Sequence, residues 1–174
     1  MSAISNNPDF RALMTRHLGW LADCERVFGP TTALQCYGRF HATDAQTPDW
    51  LVIGPPRQCY ANSGRQFLSR VAAGDDTVHY AEGYAIDLTG VPVPFEHAWL
   101  VNGDTVIDPT LSASRGYLYF GVAFDTPFVM EALRRTGRYD GILTDGVSMR
   151  RYYGTPELFE RGLRNPQRDA MPAA

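Results

Sequence analysis

HAWLVNGDTVID, residues 97–108, is the stretch whose reading decides the fold. Two runs of strand-forming residues flank Asn102-Gly103. An Asn-Gly pair in that setting is the strongest short-range hairpin signal, because both central residues of a type I′ turn take positive φ. Counting outward from a two-residue loop, Val101 faces Asp104, Leu100 faces Thr105, Trp99 faces Val106 and Ala98 faces Ile107. One step further, His97 faces Asp108. Opposed residues on antiparallel strands hold their Cβ atoms about 4.5–5.5 Å apart on one face, so the count predicts an imidazole against a carboxylate. Asp108-Pro109 should end the strand, since proline has no N–H to give to the ladder.

Upstream, QCYANSGRQFLSRVAAG (58–74) follows Pro55-Pro56 and reads as a helix that stops at Gly74. Tyr60, Gly64, Phe67, Leu68 and Val71 share one side of it, and Cys59 falls in its first turn. Strands are expected at 77–88 and 105–110, and at 116–124 as strand or buried turn. Within AEGYA, Glu82 either lines a cleft or stands exposed. Tyr117, Tyr119, Phe120 and Phe124 either fill the core or line a groove. Phe10, Leu13, Met14, Leu18, Leu21 and Ala22 give a helix over 9–28, and two more helices are expected near 127–136 and 156–163. Residues 31–56, broken by Pro48, Gly54, Pro55 and Pro56, read as a long irregular connection with at most a short element near Trp50 to Ile53. The expected fold class is α+β, a cysteine-bearing helix packed on a mainly antiparallel sheet. One domain is expected over 1–163, with a flexible tail from 164 to 174.

The composition excludes several classes. The 174 residues carry 16 Lys and Arg against 19 Asp and Glu, a net charge of -3. No concentrated basic surface follows from that balance, so no nucleic-acid partner is expected. The clusters Arg134, Arg135, Arg138 and Arg161, Arg164, Arg168 read as solvated helix faces. The N-terminal residues lack the basic start and apolar run of a secretory signal, and no run approaches the length of a membrane span, so no membrane partner is expected. Three irregularly spaced cysteines, Cys24, Cys36 and Cys59, argue against a disulfide scaffold and for a cytoplasmic location. No glycine-rich phosphate loop or dinucleotide fingerprint occurs, and no cofactor or metal is expected.

Chemistry concentrates on Cys59, His97 and Asp108. A thiol reacts as thiolate, and an adjacent imidazole or a helix N-terminus lowers its pKa. His97 would hold and return the proton, Asp108 would orient the ring, and the first N–H groups of the helix, with Gln58 as an added donor, would face an oxyanion. Cys36, in a similar QCYG setting, is the rival nucleophile, while Cys24 reads as filler. His41 and His79 have no carboxylate opposite them in the expected register. Zinc held by Cys59, His97 and Asp108 is an alternative by ligand type, without the close ligand pairs that mark metal sites.

QCYANS (58–63), AEGYA (81–85), HAWLV (97–101) and VIDPT (106–110), in that order, resemble the transglutaminase-like superfamily and its papain-like relatives. The resemblance implies Cys59 as nucleophile, His97 as base and Asp108 as orienting acid. It also implies acyl transfer from an amide or ester: a cysteine hydrolase, of thiol-protease type, acting on a peptide, isopeptide or side-chain amide through a thioester. The alternatives are an acyltransferase or crosslinking enzyme with the same triad, or a non-catalytic binding or inhibitor protein retaining the fold. The expected partners are a peptide, a protein or a small amide or ester substrate.

Overall fold

The computed structural model describes residues 8–43, 47–111 and 115–164. Helix α1 (Pro8–Cys24) leads through a bend to α2 (Pro30–Tyr37) and strand β1 (Arg39–Thr43). Helix α3 (Cys59–Ala72) precedes four strands: β2 (Val78–Asp87), β3 (Phe95–Asn102), β4 (Thr105–Ile107) and β5 (Tyr117–Ala123). The chain ends in α4 (Thr126–Thr136), α5 (Gly146–Tyr153) and α6 (Pro156–Arg161). The expected helices and strands around residues 58–136 are present; α2, β1 and α5 had no counterpart in the sequence reading.

The strands run β1-β4-β3-β2-β5 around a closed barrel. Closure comes from β1, which pairs parallel with β4 (Ala42 with Thr105) and antiparallel with β5 (Phe40 with Phe120). This corrects both the expected fold class and the resemblance. The sheet is a mixed five-stranded barrel ringed by helices, and not the papain-like/transglutaminase-like arrangement. The physical reason is local. Residues 39–43 lie in a stretch that proline and glycine made look irregular, and the strand they form removes both edges of the sheet.

Alternation along the strands divides the core in two. Ala81, Ala85, Trp99, Val101, Val106, Tyr117, Tyr119 and Ala123 pack within the barrel. The opposite faces of the same strands carry Tyr80, Ile86, Leu100, Leu118 and Val122, which pack with Met14 and Leu18 of α1, Leu34 of α2, Phe67 of α3 and Val129 of α4. So few strands enclose little volume, and the size pattern answers that limit. Gly83 and Gly121 face each other across β2 and β5, between Ala81, Ala85 and Ala123, while Trp99 and two tyrosines fill the space left. A Cβ on Gly121 would collide with the Glu82 carbonyl and come within 2.7 Å of the Trp99 ring.

The decisive hairpin differs from its expected register. Asn102 pairs with Thr105, Val101 with Val106 and Leu100 with Ile107. The turn is therefore Gly103-Asp104, with φ +59 at Gly103 and no positive φ at Asn102 or Asp104. Glycine at the first central position is the II′ pattern, not I′. The slip moves each partner by two residues, which preserves the face every side chain takes.

Near the C-terminus, Leu163 bridges Phe124, and Arg164 donates its N–H to the Ala123 carbonyl (2.9 Å) and its guanidinium to the Gly103 carbonyl (2.6 Å). Arg164, expected to open the tail, is thus tied to the barrel; the remainder of that expected tail lies outside the described residues. Among the described residues no helix is long and apolar enough to cross a membrane.

Gly121→Ala tests the tight closure. Backbone must move to admit the methyl group, and overpacking of this kind costs about 1–3 kcal/mol. A fall in the urea midpoint is expected; an unchanged midpoint would show that the barrel wall has room to spare.

Candidate functional site

Cys59 is the first residue of α3, reached after Pro55-Pro56 and a left-handed Arg57 (φ +63) that turns the chain into the helix. Two contacts seat α3 on the barrel. Ser63, fully buried, donates to the Ala98 carbonyl (3.0 Å), and Asn62 donates to the Pro55 carbonyl (2.8 Å) and to Thr110 Oγ1 (3.0 Å). Gly54 N–H donates to the Pro109 carbonyl (2.8 Å). The chain before α3 and the chain after Asp108 are therefore bound to each other beside His97.

His97 sits on the inner face of β3, opposite Gly83 of β2, with its ring stacked on Trp99 at 17° and 6.1 Å. It is 2% exposed. Its Nε2 lies 2.6 Å from Asp108 Oδ2. The register slip places Asp108 one step diagonal to His97 and not directly across, and the same-face relation survives. Asp108 lies just beyond β4 and is held from all sides. Oδ2 also accepts from the Tyr119 hydroxyl (2.8 Å), and Oδ1 accepts from the N–H groups of Thr110 (2.7 Å) and Leu111 (2.9 Å).

Cys59 is half-buried and hydrogen-bonded to His97. Burial by itself would raise the thiol. Its hydrogen bond to His97, the charge of that ring, and the backbone N–H groups of Ala98 and Tyr60 outweigh burial and bring it below the ordinary thiol range. Burial by itself would lower His97, but its hydrogen bonds and charge interactions with Asp108 and Cys59 lift it to about 9.

The other candidates are dispersed. Cys36 and Cys24 are exposed at the ends of α2 and α1. His41 is buried in the barrel with Nε2 near the Gly121 carbonyl (3.3 Å), and burial drives it down to about 4. His79 is buried on β2. Tyr117 and Tyr119 are core, not groove, as is Phe124. Gln58 precedes α3 as its N-cap without a side-chain capping bond. Glu82 is not exposed; it lies opposite Ala98 in the ladder, on the face of β2 away from the barrel interior. Fully buried, it accepts from the Tyr80 hydroxyl (2.6 Å) and the N–H groups of Ile142 (2.7 Å) and Leu143 (2.8 Å), and burial lifts it to about 7 against those bonds. Asn62, Ser63 and Tyr119 escaped the sequence reading as site residues; their spacing carries no signal for contacts made across the fold. Among the described residues no group of three or more His, Cys, Asp or Glu side chains is arranged to hold a metal ion, which removes the zinc alternative.

Cavities open among the described residues. One, about 590 Å³, is lined by Leu133, Arg135, Arg138, Asp140, Ile142 and Val147 among others; the second, about 60 Å³, lies among Leu34, Tyr60, Glu82, Tyr84, Glu96 and Leu143. Neither includes Cys59, His97 or Asp108 in its lining. Comparison with protein-family models, curated proteins and solved structures found no match.

These findings correct the functional expectation. The assignment as a cysteine hydrolase cleaving a peptide, isopeptide or side-chain amide, as an acyltransferase or crosslinking enzyme, or as a binding protein retaining that fold rested on a papain-like/transglutaminase-like architecture. The barrel replaces that architecture, no family supports it, and the larger cavity lies away from the thiol. The thiol-protease, transglutaminase-like and acyl-transfer descriptions fall with it.

The proton balance of the site has a measurable sign. A histidine raised on folding contributes stability that is complete below about 6.5 and is lost as pH rises through about 9. A cysteine lowered on folding does the reverse, contributing fully above the ordinary thiol pKa and losing that contribution as pH falls through its folded value. In the pair the two trends run in opposite directions above 6.5. Cys59→Ala removes the cysteine trend and the share of the His97 rise that Cys59 supplies, and leaves the share due to Asp108. Urea unfolding of both proteins from about pH 6 to about pH 9 should show the variant losing stability relative to the wild type as pH rises. Parallel curves would contradict the paired charges.

Proposed function

We propose that Cys59, His97 and Asp108 form an activated thiol site, and that the protein acts by forming a covalent bond from the Cys59 sulfur to a small electrophile. The observation that carries this reading is the continuous hydrogen-bonded chain from thiol to imidazole to carboxylate, with His97 Nε2 at 2.6 Å from Asp108. A soft thiolate adds to activated alkenes and displaces good leaving groups from carbon without an acid–base partner for the first bond. In a conjugate addition the S–C bond forms, the alkene π pair moves to the α-carbon, and the imidazolium proton of His97 completes the product. A small electrophile is favoured because Cys59 is only partly exposed. A reducing, cytoplasmic compartment belongs to the proposal, since all three cysteines are free and an oxidised Cys59 could not react.

Iodoacetamide is the probe. The thiolate displaces iodide, so the rate reports thiolate directly, and the exposed Cys24 and Cys36 serve as reference thiols in the same chain. Peptide mass analysis should find Cys59 alkylated fastest below pH 7 despite its lower exposure. His97→Ala should slow Cys59 by about tenfold or more, the factor attached to one unit of thiol pKa. Equal rates at all three cysteines would reduce Cys59 to a packing residue.

A further inference from the structure

We infer that Tyr119 is a positioning residue of this site, its hydroxyl sharing Asp108 Oδ2 with His97 and thereby setting how firmly the carboxylate holds the imidazole. The inference deepens the activated-thiol reading and rests on it for its functional meaning.

The geometry is specific. Asp108 has two oxygens with different tasks. Oδ1 is taken by the N–H groups of Thr110 and Leu111, which fix the carboxylate to its own chain just past β4. Oδ2 takes His97 at 2.6 Å and Tyr119 at 2.8 Å. Tyr119 is 3% exposed and comes from β5, the strand on the other side of β2 from β3. Its ring also leans on its partners, 6.1 Å from the His97 ring and 5.2 Å from Trp99. A core tyrosine needs a partner for its hydroxyl, but nothing obliges that partner to be the oxygen already bonded to a histidine.

The electrostatic consequence follows from sharing. Burial, the Asp108 charge and the hydrogen bond all keep Tyr119 a phenol, so it donates across the whole working pH range. A donor at Oδ2 withdraws density from the oxygen that grips the His97 proton. Without it, that oxygen would attract the imidazolium more strongly, and the ring would surrender its proton less readily. Tyr119 thus restrains the carboxylate, keeping His97 able to give its proton to a reaction product.

The titratable groups facing His97 are Cys59 from α3, Asp108 beyond β4 and Tyr119 from β5, the Trp99 and Phe95 rings completing its surroundings, so a change confined to Tyr119 can be read cleanly. In Tyr119→Phe the ring stays and the donor goes. NMR titration of the His97 imidazole should show its midpoint rising by about one pH unit, the size expected for losing a hydrogen bond to a charged group. A loss of melting temperature alone, with His97 titrating as in the wild type or lower, would make Tyr119 a packing residue and overturn the inference. Should Tyr119→Phe fail to fold, 3-fluorotyrosine placed at position 119 keeps the shape and strengthens the donor. It must move the same midpoint down, and an upward or absent shift overturns the inference equally. Repeating both titrations in Cys59→Ala separates the two claims. A Tyr119-dependent shift that persists there supports the positioning role even if Cys59 alkylates no faster than its reference thiols.

Discussion

Strand β1 occupies the one place in the sheet where two otherwise open edges meet. It lies parallel to β4 and antiparallel to β5, and without it both would present unpaired N–H and C=O groups to water. Its five residues make the inner face an interior. Trp99, Tyr119 and His97 are buried because the wall behind them is continuous. Low exposure then gives the His97–Asp108 pair its strength, since charges attract more strongly where water is excluded.

Closure also imposes a size limit, and the limit shapes the site. Gly83 and Gly121 bring β2 and β5 together closely enough that a methyl group on either would strike the neighbouring backbone. The space they release is taken by Trp99, against which His97 stacks, and by Tyr119, which reaches Asp108. The glycines therefore act on the chemistry at one remove. Gly83 lies opposite His97 on the neighbouring strand, and the two glycines together determine how near the aromatic residues around the three chemical groups can come.

Three separated stretches converge on the thiol. Helix α3 supplies Cys59, β3 supplies His97, and the turn beyond β4 supplies Asp108. Asn62 ties the first to the third through Pro55 and Thr110, and Ser63 ties the helix to β3 through Ala98. His97 bonds Asp108 through Nε2, and the carboxylate takes four donors in all, from His97, Tyr119, Thr110 and Leu111. Glu82, equally buried on the other face of β2, belongs to a different task, pinning the 142–143 turn to the barrel.

The residues themselves determined the parts with short-range causes. The break at Pro55-Pro56 put Cys59 at a helix start, and alternation along β3 set His97 on the face of Trp99. The hairpin put Asp108 within reach of His97 even though its turn is Gly103-Asp104, because a slip of two residues leaves each side chain on its face. Tertiary structure alone decided what depends on pairing between distant segments. A five-residue strand inside a proline-broken stretch has too little pattern to be read, and only the two ladders waiting for it make it a strand. That strand turned an expected layered sheet into a barrel and removed the basis for the expected enzyme class. Tyr119 is the same case on a smaller scale: its sequence reads as core, and its bond to Asp108 exists because closure of the barrel brings β5 around to the end of β4.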